Sequence, residues 1–190
     1  EFPSLQRLIA ECQFDTIYHE HFSYLSLLAV ETLFARHGLR VFDVEEWPTH
    51  GGSLRVYACL ERAGHAVGPG VALQRQRERD DGMGGDAAYR DFGARVVEAK
   101  ARILEFFLAA RRAGRTVAGY GAPAKGNTLL NYCGIGPEFL PFTVDRSPHK
   151  QGLFLPGSRI PIRHPDAILA ARPDYIFILP WNLKDEIVGQ

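Results

Sequence analysis

The stretch T-V-A-G-Y-G-A-P-A-K-G-N-T-L-L, Thr116 to Leu130, reads as a buried strand running through a glycine turn into a helix. Val117 and Ala118 are small apolar strand residues. Gly119 and Gly121 admit backbone torsions that a side chain forbids, and a helix opening near Lys125 turns its free N–H groups toward an anion. The third glycine, Gly126, comes two residues later than the dinucleotide fingerprint requires, and no Gly-Lys-Ser/Thr follows to make a P-loop. Two readings stay open. One is a phosphate-binding turn with Gly119, Gly121, Ala122, Lys125 and Asn127 around the ligand, and the other is a plain strand-to-helix turn.

Downstream of this turn, Phe139 to Asp145 reads as a second strand ending in a carboxylate. Asp145 follows Gly121 by 24 residues, close to where a dinucleotide-binding βαβ unit places the acid that grips a ribose. A short strand Arg159 to Ile162, a helix from Pro165 to Ala171 and a strand Tyr175 to Leu179 continue the alternation. Pro180-Trp181-Asn182 then falls at a strand's carboxyl end, where open α/β sheets bind ligands. Upstream, Asp86 caps a long helix running to Ala113 and stopped by Gly114.

The first part of the chain is built differently. Ser4 caps a short helix, and Ser23 or Ser26 caps another that runs to about His37 and stops at Gly38. Leu39 to Trp47 and Ser53 to Leu60 alternate as a hairpin joined by Pro48 to Gly52, which puts His50, Ser53 and Arg55 at one sheet end. The polar run between Arg62 and Asp86 reads as a linker with a short solvated helix. Its acids balance its bases and no aromatic residue is interleaved, so it is not a nucleic-acid patch. The expected divisions are 1–66, a linker 67–85, and 86–190.

Phe14 to Tyr24, F-D-T-I-Y-H-E-H-F-S-Y, carries the densest chemistry. Tyr18, Glu20 and His21 sit among Phe14, Phe22 and Tyr24, an arrangement that can shelter and tune an acid/base group. A satisfied core histidine and a His-x-His metal half-site are the other readings. No further His, Cys or carboxylate cluster lies nearby to complete a metal site.

Composition narrows the function classes. In 190 residues, Lys plus Arg total 22 and Asp plus Glu total 22, so no global field recruits nucleic acid or a membrane surface. No run approaches the length of a membrane span. Three isolated cysteines without a C-x-x-C pair suit a reduced, cytoplasmic compartment. Starting at Glu1 without an initiator Met suggests a fragment.

Taken together, Phe14 to Tyr24, H-G-G-S-L-R-V-Y (His50 to Tyr57), G-Y-G-A-P-A-K-G-N-T-L-L-N (Gly119 to Asn131) and V-D-R-S-P-H-K-Q-G (Val144 to Gly152) resemble the sugar C-methyltransferases. The resemblance runs in order along nearly the whole chain, with least support between Arg62 and Asp86. It implies an enzyme that uses S-adenosylmethionine to methylate a carbon of a nucleotide-linked keto-deoxysugar. The implied fold is α/β, with the back half of a class I methyltransferase domain, ending in an antiparallel hairpin, ahead of a Rossmann-like C-terminal domain that holds the sugar nucleotide and is truncated at its end. The zinc-binding cysteine-rich unit and the main S-adenosylmethionine loop would lie upstream of Glu1, so the fragment itself would be inactive. By matching Y-H-E-H, the resemblance gives His21 the base role and places Tyr18 and Glu20 at the same site. A nicotinamide-dependent sugar-nucleotide oxidoreductase built on Gly119, Gly121 and Asp145 is the main alternative. A noncatalytic nucleotide-sugar binding module is the third.

Overall fold

Contacts in the computed structural model, which describes residues 1–189, divide the chain into two compact units. Unit 1 comprises Glu1–Phe14 and His19–Val96, and unit 2 comprises Asp15–Tyr18 and the chain from Val97 onward. The expected stretch 67–85 thus falls wholly within unit 1, and the long helix bridges the division.

In unit 1, strand β1 (Phe2–Pro3) leads to Ser4, whose Oγ accepts from the Arg7 amide and starts helix α1 (Leu5–Ala10). Ser26, not Ser23, caps helix α2 (Leu27–Ala35) by accepting from the Ala29 amide. Strands β2 (Leu39–Trp47) and β3 (Ser53–Leu60) form the expected hairpin in antiparallel register from Leu39 opposite Leu60 to Trp47 opposite Ser53. The register shifts between Val41 and Asp43, so Phe42 is bulged out. The sheet order is β1-β3-β2, and β1 pairs antiparallel with β3. The bulge brings Val41 and Val44, three residues apart, to the same face, where with Leu54 they join a core shared with Leu27, Val30 and Val71.

The polar stretch departs from the solvated linker expected of it. Helix α3 (Pro69–Asp80) packs on β2 and α2, burying Val71, Gln74 and Glu78. Glu78 is fully buried, and its two carboxylate oxygens accept from the Leu27 amide at 2.7 Å and the Leu28 amide at 2.9 Å. A charge that looked like part of a wet face therefore caps the N-terminus of α2 from inside, where a helix favours an anion.

Past α4 (Ala87–Arg90), the long helix α5 (Phe92–Arg112) begins after an interruption at Asp91; the Asp86 side chain makes no capping bond. Unit 2 is then an α/β layer structure. Strand β4 (Val117–Tyr120), helix α6 (Ala124–Cys133), the two-residue strands β5 (Thr143–Val144) and β6 (Ile162–Arg163), helix α7 (Asp166–Ala171), strand β7 (Tyr175–Ile178) and helix α8 (Lys184–Val188) follow in order. All four strands are parallel, in the order β6-β5-β4-β7. The expected strand Phe139 to Asp145 is short because the Phe139 and Leu140 amides are taken by the Gly136 carbonyl, and Pro141 has no amide hydrogen to give. Similarly, Arg159 turns at φ +58° and its amide bonds Leu155, which delays β6 to Ile162. Phe107, Leu130, Ile135, Leu140, Leu155, Ile160 and Leu179 fill the core between sheet and helices. Among the described residues, no helix is long and apolar enough to cross a membrane.

Candidate functional site

Each of the three glycines in the 116–130 stretch has a steric reason. A Cβ on Gly119 would lie 2.6 Å from Thr143 Oγ1, one on Gly121 would lie 2.5 Å from Pro180 Cδ, and one on Gly126 would lie 3.0 Å from Leu179 Cβ. Gly121 alone of the three has a positive φ, +88°. Gly126, late as it is, still performs the close helix-to-strand packing that a third glycine provides in dinucleotide-binding turns. The turn is also laced to β5: the Gly121 amide donates to the Val144 carbonyl, Thr143 Oγ1 donates to the Gly121 carbonyl at 2.7 Å, and the Ala122 amide donates to Asp145 Oδ2 at 2.7 Å.

Strands β5 and β6 are added on one side of β4 and β7 on the other, so the strand order reverses between β4 and β7. Crevices at such a reversal, at the carboxyl ends of the strands, are where open α/β sheets bind ligands. A cavity of about 220 Å³ lies there, lined by Gly121, Ala122 and Pro123 from the turn, Asp145, Arg146 and Lys150 after β5, and Pro180, Leu183 and Glu186 after β7. Asp145 is not simply presented to a ribose. Its Oδ1 accepts from the Ser147 amide, its Oδ2 from Ala122, and Lys150 Nζ stands 3.5 Å from it while donating to the Ala122 carbonyl.

Lys125 and Asn127 stand apart from that cavity. Lys125 is only 7% exposed, and its Nζ donates to Asn182 Oδ1 at 2.8 Å and lies 4.5 Å from the Trp181 ring centre. Trp181 Nε1 in turn donates to Asp15 Oδ2 at 2.6 Å. Burial pushes the Asp15 carboxyl above its ordinary value, against the pull of Trp181 and Lys125. Burial likewise pushes the Lys125 ammonium below its ordinary value, and Asp15 partly restores it. Asn127 keeps its Oδ1 buried without a protein partner, while its carbonyl accepts from Asn131.

In unit 1 the His21 segment is loop rather than strand. The His21 ring meets that of His50 edge-on at 5.6 Å and that of Tyr24 at 6.4 Å. His50 owes its position to a strained loop, with φ +57° followed by Gly51 and Gly52 at positive φ. Thus His21 of Y-H-E-H and His50 of H-G-G-S, separate in sequence, meet in unit 1. The expected shelter is not closed: Phe22 is 95% exposed and Glu20 is exposed, while Phe14 is buried and Tyr24 packs toward Leu8, Ile9 and Met83. Tyr18 is assigned to unit 2, and Glu20 and His21 to unit 1. Ser53 is buried, with Oγ donating to the Thr49 carbonyl, and Arg55 lies over the Trp47 ring at 4.0 Å and pairs with Glu1. Among the described residues, no three His, Cys, Asp or Glu side chains gather as a metal ion requires.

From the sequence, His50 falls at a sheet end and Trp181 at the carboxyl end of a strand, whereas nothing local singles out Asp15 or Arg146 as a site residue. Arg146 and His50 lie in V-D-R-S-P-H-K-Q-G and H-G-G-S-L-R-V-Y, and membership of these stretches is the signal that marks them. Asp15 and Trp181 lie 166 positions apart, and neither carries a local mark of the other.

A family model described as "C-methyltransferase C-terminal domain" matches residues 48–190. The "C-methyltransferase NovU" of Streptomyces niveus is 46% identical over 188 residues, covering 99% of this chain and 45% of that protein. The chain therefore spans less than half the length of this curated relative.

Proposed function

Because the chain belongs to the C-methyltransferase C-terminal domain family, we propose that it works as the later part of an S-adenosylmethionine-dependent enzyme that methylates the carbon beside the ketone of a nucleotide-linked 4-keto-deoxysugar. The observation that carries this reading is the cavity at the strand-order reversal, floored by the glycine turn and edged by Arg146 and Lys150. In this reading it takes the phosphate end of the ligand, with Arg146 and Lys150 as phosphate partners beside the Asp145 and Glu186 carboxylates. Asp145 fixes the turn from which Gly119, Gly121 and Ala122 act. The antiparallel order β1-β3-β2 supports reading 39–60 as the closing hairpin of a class I methyltransferase domain.

In the proposed reaction, His21 takes the proton from the carbon next to the ketone, and the C–H electrons move onto the keto oxygen to form an enolate. Tyr18 donates a hydrogen bond to that oxygen, and Glu20 stabilises the imidazolium that results. S-adenosylmethionine supplies the electrophilic methyl group. The glycine loop of unit 1 is bonded to itself and its neighbours, the Gly52 amide to the Thr49 carbonyl, the Gly51 carbonyl to Gln13 and the Gly52 carbonyl to Ser4. This reading takes the methyl donor's main binding loop, and any zinc, from parts of the enzyme other than this chain. In this reading the enzyme is cytoplasmic, and neither nucleic acid nor membrane is a partner.

Calorimetric titration of this chain with a nucleotide-linked 4-keto-deoxysugar, with nicotinamide dinucleotide and with S-adenosylmethionine tests the assignment. Binding of the keto-sugar nucleotide alone is expected. Binding of the nicotinamide dinucleotide instead would turn the glycine turn over to an oxidoreductase, and a chain that binds none of the three would make the turn purely structural.

A further inference from the structure

Asp15 and Lys125 are the two buried charged side chains of unit 2 among the described residues, and neither has a part in the proton chemistry above. Burying a charge costs several kcal/mol unless it is paired, so such groups persist where their geometry matters. Here the geometry is closed on three sides. Lys125 comes from the first turn of α6, Trp181 and Asn182 from the turn after β7, and Asp15 from the single helical turn Phe14–Thr16. The ammonium rests on the indole face and donates to Asn182, while the indole N–H donates to Asp15. Thr16, next in the chain, is also buried. The chain enters unit 2 at Asp15 and leaves it after Tyr18, so these anchors hold a four-residue excursion that ends at a proposed reactive side chain.

We propose that Lys125, Trp181 and Asn182 form a clasp on Asp15 that sets where Tyr18 stands, so that Asp15 and Lys125 are positioning residues and Lys125 is not a diphosphate ligand. This rests on the reading of Tyr18 as the group that meets the keto oxygen. The physical case is the ammonium's orientation: a cation over an aromatic ring with one donor committed to Asn182 is held in a fixed place, and little of it is open to a ligand. Misplacing a reactive group by about 1 Å can cost about 100-fold in rate without loss of affinity.

The experiment uses the full-length enzyme with Lys125→Ala and Asp15→Asn. Turnover is expected to fall about 10- to 100-fold while the Kd for the keto-sugar nucleotide stays within about twofold, with Lys125→Arg recovering part of the rate. A Kd raised about 10- to 100-fold with turnover unchanged would make Lys125 a phosphate ligand and overturn the clasp. If Asp15→Asn does not fold by circular dichroism, Trp181→Phe keeps the ring, removes the N–H and carries the same expectation. Indole ¹H–¹⁵N spectra of this chain supply a readout independent of activity. The chain has two tryptophans, Trp47 and Trp181, and Asp15→Asn should move the Trp181 resonance and leave that of Trp47 in place. An unmoved Trp181 resonance sinks the clasp. Should the wild-type enzyme transfer no methyl group, the proposed function fails while the indole result still decides the clasp.

Discussion

The glycine turn of unit 2 and the His21 segment of unit 1 differ in how far folding accounts for their residues. At the turn, Gly119, Gly121 and Gly126 each answer to a named neighbour, and Ala122 and Asp145 hold each other. Around His21 the backbone is loop, Phe22 is almost wholly exposed, and Glu20 faces solvent. Leaving a large aromatic and a carboxylate in the open beside two imidazoles does nothing for a core. Residues that the fold does not require are the better candidates for chemistry, whereas those it does require define the scaffold on which a ligand sits.

His21→Asn should give the largest effect and tests the chemical half of this contrast. In the full-length enzyme, methyl transfer is expected to drop about 100- to 10,000-fold with substrate affinity and thermal midpoint little changed. Single-turnover kinetics decide it, and an unchanged rate would remove His21 from the mechanism. Gly121→Val tests the scaffold half. A β-branched residue at φ +88° with its Cβ 2.5 Å from Pro180 combines backbone strain with overpacking, for a loss of about 3 kcal/mol or more in unfolding free energy. A denaturant midpoint equal to wild type would show that the turn is looser than these contacts imply.

A smaller effect is expected at Glu78, where unit 1 uses a buried carboxylate for folding alone. Glu78→Ala strips the acceptors from the Leu27 and Leu28 amides and should cost about 2 kcal/mol by urea denaturation; Glu78→Gln, which keeps one acceptor, should cost less. Equal losses for the two variants would mean that packing, not capping, is what Glu78 contributes.

Local rules made much of this molecule legible. Period-two alternation marked both hairpin strands to the residue, Ser4 announced its helix, the next cap was narrowed to Ser23 or Ser26, and Gly114 marked the stop after α5. What stayed hidden depends on partners distant in the chain. Nothing near Glu78 says that its carboxylate will meet α2, and a run as polar as 72–81 looks wet by composition. Lys125 reads as a phosphate partner from its neighbours in sequence, yet its ammonium is turned to residues after β7. The meeting of His21 and His50 is likewise a product of tertiary structure, although each lies in a stretch that drew notice by itself.

The smallest effect is expected at the opposite edge of the parallel sheet, where β4 and β7 begin. Asp174 accepts from the Thr116 amide at 2.8 Å and from Thr116 Oγ1 at 3.0 Å, and pairs with Arg115 at 2.7 Å. Those donors, the Thr116 amide first, hold its carboxyl down at about 2. A carboxyl lowered by folding adds stability that is full above its unfolded value of about 3.9 and is lost as pH falls toward about 2. Asp174 is exposed enough for salt to screen the Arg115 pairing, so the gain is modest and falls with ionic strength. The thermal midpoint of wild type should therefore exceed that of Asp174→Asn above about pH 4, and the gap should close steadily toward pH 2. Because this edge lies at the amino ends of the strands and the cavity at their carboxyl ends, ligand binding should not change. A midpoint difference that persists undiminished at pH 2 would show that the ionised carboxylate is not its source. A loss of keto-sugar nucleotide binding in Asp174→Asn would show that the two edges of the sheet are not independent, and the contrast between scaffold and site would have to be redrawn.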